Sequence, residues 1–327
     1  MPVVNVIELN SLAEIQKFAK ENWPSYSVSG AKSATWEKNA GKFSDICGLG
    51  RFHHTSFASG LLEPPVKPNG CLPTFGPSFR RASLKNLLVG GNLPGRAIAE
   101  FRLLCEMGIE FPKISKPYSD FYYDFGGFAY NSNLRRYAMH VSALRHYFKR
   151  GTVCEIGAGY GGFAELFHLN CEISSYIVID LFETMCVSMS YLWQAGKRII
   201  FVESGDDVDS LPKGAVLFIP SPDKGLAGCA GIDLFVNQSS MTEMPEKEID
   251  AYFSIIQQHD DTMFYNFNCK ERVEGGKTMR HSDFPYDSKW VLLYGASDGS
   301  HIETLKMRQA SARSRASTRA IPLSASH

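Results

Sequence analysis

The reading of the fold turns on Thr152-Val-Cys-Glu155-Ile-Gly157-Ala-Gly159-Tyr-Gly161-Gly162. A short β-prone run, Thr152–Ile156, leads into four glycines among six residues, and Phe163–Asn170 continues with helical spacing. Glycines at a strand-to-helix turn let the backbone bend sharply and approach a ligand where any β-carbon would collide.

Outward from this turn, strands and helices alternate. Ser175–Asp180 reads as a second strand and Glu183–Ala195 as a helix. Arg198–Glu203 and Ala215–Ile219 both read as strands, and the sequence leaves open which is the third of the sheet. Ile232–Asn237 is a further strand, then a helix runs over Glu246–Gln258 with Pro245 at its first turn. Asp261–Phe267 and Trp290–Tyr294 complete the strands. This alternation predicts an α/β fold, a Rossmann-like doubly wound parallel sheet covered on both faces.

Residues 1–130 have a different texture and are expected to form a helical, loop-rich cap on the acceptor side. Ser11 and Glu14 have capping-box spacing for a helix over Ser11–Glu21. From Trp23 to Pro94, Gly, Pro, Ser and aromatics interrupt every periodic run, as in Leu62-Glu-Pro-Pro-Val-Lys-Pro68. Helices follow at Gly95–Met107 and Asn133–Lys149. The sheet domain is expected over 131–304. Residues 305–327, rich in Ser, Ala and Arg, are expected to form a disordered tail, since so little apolar surface cannot offset ordering entropy.

Composition excludes several classes. The 44% hydrophobic and 21% charged content is that of a globular protein with a real core. Lys plus Arg equal Asp plus Glu at 34 each, so no bulk attraction to nucleic acid or an anionic membrane is expected. The eight cysteines form no C-x-x-C pair. No window approaches the ~18 uninterrupted apolar residues of a membrane helix, and the start lacks signal-peptide character. A reducing, cytoplasmic setting is the expectation.

Gly157, Gly159 and Gly162 also satisfy the dinucleotide pattern G-x-G-x-x-G. Asp180 ends the second strand in either scheme, ready for a ribose hydroxyl pair. Glycines alone therefore leave a nicotinamide-dependent oxidoreductase open. Glu155 separates the readings, because a carboxylate there would repel a pyrophosphate. It would instead favour S-adenosylmethionine, which carries an ammonium and a sulfonium and no phosphate. With Gly161 the pattern becomes E-x-G-x-G-x-G. The expected cofactor residues are Glu155, Gly157, Ala158, Gly159, Gly161, Asp180, Leu181, Phe182 and Asn237, with Phe182 beside the adenine.

Three segments together resemble the sugar O-methyltransferase family. They are Glu155–Gly162, Tyr176-Ile-Val-Ile-Asp-Leu-Phe-Glu-Thr184 and Asp233-Leu-Phe-Val-Asn-Gln-Ser-Ser-Met-Thr-Glu-Met244, continuing through Tyr252-Phe253 and Phe264–Asn268. The resemblance covers roughly residues 120–295. It implies S-adenosylmethionine as cofactor and a small-molecule acceptor, a sugar or glycoconjugate, with no nucleic-acid or membrane partner. A homodimer stays open. N-methylation, a natural-product acceptor and a non-catalytic binding protein on the same fold also remain.

In-line transfer from a sulfonium asks mainly for alignment, and a hydroxyl acceptor also asks for a general base. Glu243, after the fourth strand, is the first candidate, with His140 and His281 behind it. The alternatives are a structural acid and two ordinary histidines. His53-His54 invite a metal reading, but adjacent histidines do not readily share one tetrahedral ion, and no metal is expected. Asp206-Asp207 and the aromatic run Phe121–Phe125 are read as packing or turn residues.

Overall fold

A computed structural model describes residues 5–26, 94–113, 123–124, 128–130, 132–204, 212–229, 231–274 and 277–310. The pair His53-His54, Asp206-Asp207 and most of the Trp23–Pro94 stretch lie outside these residues.

The centre is a nine-stranded sheet. Its parallel strands are β4 (Arg150–Ile156), β5 (Glu172–Asp180), β6 (Arg198–Ser204), β7 (Ala215–Pro220), β8 (Leu234–Gln238) and β9 (Met263–Cys269). Three antiparallel strands complete the edges: β1 (Asn5–Leu9), β12 (Trp290–Ser297) and β13 (His301–Arg308). The order is β1-β6-β7-β5-β4-β8-β9-β13-β12. β7 pairs with β5, so Ala215–Pro220 is the third strand and β6 lies outside it. All six residues of β7 are buried, as a strand covered on both faces requires.

Two cores flank the sheet. On one face, Val153, Val178, Phe218 and Val236 meet α3 (Ser132–Leu144), α4 (Gly162–Asn170) and α5 (Phe182–Gln194). On the other, Cys154, Ile177, Leu217 and Phe235 meet α6 (Glu246–Ile256). Helix α6 buries Ile249, Tyr252, Phe253 and Ile256, the i, i+3, i+4, i+7 stripe of an amphipathic helix. α2 (Pro94–Glu106) joins α3 through Glu100 and Arg135 at 2.7 Å. Short hairpins β2 (Tyr123–Asp124) with β3 (Ala129–Tyr130), and β10 (Glu271–Glu274) with β11 (Lys277–Arg280), lie apart from the main sheet.

Two expectations are corrected. The N-terminal segment does not belong only to a cap, because β1 pairs with β6 at the sheet edge. Behind it, α1 (Leu12–Tyr26) sets Phe18 4.7 Å from Phe201 and 6.0 Å from Phe182. Its capping box forms one residue wider than expected: Glu14 N–H donates to Ser11 Oγ, and Asn10 N–H to Glu14 Oε2. At the other end, the expected tail boundary at 305 falls inside β13. Averaged composition conceals His301-Ile-Glu-Thr-Leu-Lys-Met-Arg308, where Leu305 is buried and pairs with Tyr265.

Arg308 closes that strand. Its guanidinium donates to Asp260 Oδ1 at 2.5 Å, Asp287 Oδ2 at 3.0 Å and the His259 carbonyl at 3.3 Å. Its side chain is 6% exposed against 36% for either carboxylate. Arg308→Met keeps the apolar stem but removes both ion pairs, leaving Asp260 only Lys289 at 3.7 Å, so it should lower stability by about 2 kcal/mol. Thermal unfolding measures this, and an unchanged midpoint would show that packing alone holds β13.

Candidate cofactor site at the switch between β4 and β8

From β4 the chain lays β5 beside it, then β6 further out with β7 between them, and returns to place β8 on the other side of β4. Crevices at such reversals, outside the carboxyl ends of the strands, are where open α/β sheets hold ligands. The glycine loop lies in that crevice. Gly157, Gly159 and Gly161 have φ of +75°, +60° and +92°, values that suit residues without a β-carbon. At Gly157 the fit is closest: a β-carbon would lie 2.2 Å from Ser240 Oγ, at the exit of β8.

Asn237 fixes that exit. Its amide nitrogen donates to the Ile156 carbonyl at 2.8 Å and to Ser240 Oγ. Its oxygen accepts from Met241 N–H at 3.2 Å and from Asn268 Nδ2 at 2.7 Å. The side chain is fully buried, and its polar atoms are engaged within the protein, tying β8 to β4.

Two acids flank the loop on neighbouring strands. Glu155 is 2% exposed and accepts from the Tyr176 hydroxyl at 2.8 Å. Burial pushes its pKa up to about 8, opposed by the Tyr176 bond and assisted by Asp180. Asp180 accepts from Leu181 N–H at 2.7 Å and Gly159 N–H at 3.1 Å. Burial raises it to about 7 against the pull of those backbone donors. Among the described residues, no Lys or Arg forms an ion pair with either carboxyl. Two dehydrated acids without cations suit a ligand that brings positive charge and oppose one that brings a pyrophosphate.

The remaining expected residues divide. Ala158 is buried within the loop, and Leu181 precedes α5. Phe182 is 1% exposed and lies among Phe18, Tyr26 and Phe201, stacked on Tyr26 at 5.1 Å, in the core face.

The three proposed bases do not converge. His140 is buried on α3, between Tyr265 and Phe267, with Nδ1 2.8 Å from Gln238 Oε1. Burial lowers its pKa to about 3. His281 lies against Phe284 on the other face, lowered by burial to about 4, and its Nε2 is unpartnered. Glu243, in the single turn Met241–Glu243, pairs with Arg272 of β10. No sequence signal pointed to that hairpin or to Arg272. Gln238, read with Asn237 as a candidate hydrogen-bonding group for cofactor or acceptor, ends β8 with its amide oxygen beside His140, whereas Arg136 lay inside a segment read only as helix and was missed as a polar group. Among the described residues, no group of three or more His, Cys, Asp or Glu could hold a metal ion, and no helix is long and apolar enough to cross a membrane.

No family model matches this sequence, and no curated protein matches it. Solved structures of similar fold are methyltransferases for the most part. One is magnesium protoporphyrin IX methyltransferase from Synechocystis with S-adenosylmethionine bound. It is 11% identical over 54% of this chain and 80% of its own, with a TM-score of 0.38. A second is phosphoethanolamine N-methyltransferase 1 from Haemonchus contortus in complex with phosphoethanolamine and S-adenosylhomocysteine. It is 11% identical over 54% and 42%, with a TM-score of 0.36. A third is the N-terminal domain of EvdMO1 in the presence of S-adenosylhomocysteine and D-fucose, 9% identical over 64% and 95%, with a TM-score of 0.37. These superpositions are loose, and the doubly wound α/β assignment stands on the strand order itself.

The acids predict a pH dependence. Folded, Glu155 and Asp180 hold protons to about 8 and about 7, against ordinary values of 4.5 and 3.8. Across that interval the folded chain carries more protons than the unfolded one, so stability falls as pH rises. Glu155→Gln should shrink the difference between urea midpoints at about pH 5 and about pH 8. A difference identical to wild type would show that Glu155 ionises freely in the fold.

Proposed function

We propose that this chain is an S-adenosylmethionine-dependent methyltransferase that methylates a hydroxyl of a small polar acceptor, a sugar first among them. The observation that carries the reading is the pair of buried, cation-free acids, Glu155 and Asp180, beside a glycine loop with positive φ at the switch point. S-adenosylmethionine fits this chemistry: its ammonium and sulfonium supply the missing charge, and its ribose supplies hydroxyl donors for Asp180. When bound, it supplies a methyl group already activated on a positive sulfur.

The chain's own residues do the rest. Glycines at 157, 159 and 161 keep side chains out of the loop, so the ligand reaches backbone. Asp180 holds the loop through Gly159 N–H while its burial excludes water. For proton removal we favour Glu243. At pH 7 the dehydrated His140 and His281 hold a proton too weakly to be well matched as bases. Glu243 lies half-buried at the carboxyl edge, with Arg272 to orient its carboxylate. The sugar preference rests on the segment resemblance across residues 120–295. The Trp23–Pro94 stretch is where an acceptor of another kind would be recognised.

Calorimetric titration with S-adenosylhomocysteine tests the cofactor. Binding is expected in wild type and should weaken at least about tenfold in a Glu155→Ala, Asp180→Ala double variant. NADH run beside it should give no heat; binding of NADH alone would make the chain an oxidoreductase. A screen of sugars with labelled S-adenosylmethionine then seeks the acceptor. On any sugar that turns over, Glu243→Gln should cut kcat by about 100-fold or more while leaving S-adenosylhomocysteine affinity unchanged. Unchanged kcat would remove Glu243 from proton transfer.

A further inference from the structure

Three buried donor atoms at the crevice lack any acceptor: Arg136 Nε, Gln238 Nε2 and Ser239 Oγ. Arg136 and, through His140, Gln238 gather at the ring of Phe267, and Ser239 adjoins them by its backbone. The Arg136 guanidinium is 6.0 Å from the Phe267 centroid, and the His140 ring is 4.5 Å away. Ser239 N–H donates to the Phe267 carbonyl at 2.7 Å. Arg136 and His140 are one turn apart on α3 and share a face. His140 Nδ1 meets Gln238 Oε1, which occupies that acceptor and leaves the Gln238 amide hydrogens free.

Buried polar groups are nearly always bonded, and each orphan is costly to keep. Arg136 and Gln238, brought to one ring, point to a shared missing acceptor, and Ser239 follows Gln238 directly. All three donate, and one belongs to a guanidinium, whose fork suits a carboxylate. The guanidinium also donates to the Tyr137 hydroxyl, and among the described residues no ion pair joins Arg136 to a carboxylate. The opposite charge lies close by. The guanidinium stands 5.5 Å from the Tyr137 ring, itself 6.2 Å from the ring of Tyr160 in the loop that follows Glu155, and both hydroxyls feel the Arg136 and Glu155 charges. A zwitterion therefore has a place for each end, its carboxylate towards Arg136 and its ammonium towards Glu155.

We propose that Arg136, Gln238 and Ser239 form a carboxylate-binding subsite that works with Glu155 to grip the amino-acid end of the cofactor. This deepens the methyltransferase reading and rests on it. The same donors would equally serve an acidic acceptor, so the test separates the two sources.

Affinities of S-adenosylhomocysteine and 5′-methylthioadenosine are measured by calorimetry on wild type and Arg136→Met. The second ligand keeps nucleoside and thioether but has no amino acid. Arg136→Met should weaken S-adenosylhomocysteine about tenfold or more and leave methylthioadenosine unchanged, which also shows the variant folded. Arg136→Lys should recover part of the loss. Glucuronate is titrated into wild type saturated with S-adenosylhomocysteine. Binding that Arg136→Met abolishes, with cofactor affinity intact, would assign the subsite to an acceptor's acid. Equal weakening of both adenosyl ligands would overturn the subsite, as would no weakening of either without glucuronate binding. If wild type binds neither adenosyl ligand, the cofactor reading falls and takes the subsite with it.

Discussion

The site depends on one close approach: the backbone of Gly157 against Ser240, at the point where the chain reverses its winding. A side chain at Gly157 would require the exits of β4 and β8 to separate. Asn237 draws the same two exits together by bonding the Ile156 carbonyl. Steric permission comes from the glycine and attraction from the amide. Losing an amide partner of this kind leaves buried groups unpaired, at roughly 1–3 kcal/mol each. With the exits held, the loop passes beside Asp180, and Glu155 stays dry beneath it.

That arrangement accounts for what the sequence made legible. Glycines in a strand-to-helix turn record a backbone requirement, and a backbone requirement is local. The same holds for β7, whose unbroken apolar run reports burial on both faces. Glu155 and Asp180 could be placed because each sits at a strand end fixed by its neighbours in sequence. The elements that escaped are those made by distant pairing. β1 exists as a strand because β6 offers an edge, and β13 because it bridges β9 and β12. Neither segment has a strong period of its own, and β13 was obscured by the polar residues that follow it.

Side-chain roles were harder to read for the same reason. Asn237 was expected to face a ligand, yet its partners Ile156 and Asn268 lie 81 and 31 residues away, and they engage its amide. Phe182 follows Asp180 directly, but α1 returns from the N-terminus to stack against it. Arg272 reaches Glu243 only because a hairpin folds back after β9. Chemistry that depends on contact across the sheet has no local trace, while chemistry fixed at the end of a strand does.

Dehydration is what gives these side chains a common character. Burial raises Glu155 and Asp180 and lowers His140 and His281, so each group is driven towards its neutral form. Near neutral pH the crevice thus approaches an uncharged interior, with Arg136 at its border. Such a site is selective by subtraction. A ligand that brings cations beside the acids relieves their burial cost, whereas one that brings a pyrophosphate adds repulsion to it. Burial leaves His140 and His281 weakly basic at neutral pH, whereas Glu243 lies at the wetter edge. Water excluded along the switch between β4 and β8 thereby sets the two buried acids apart from the part-exposed Glu243.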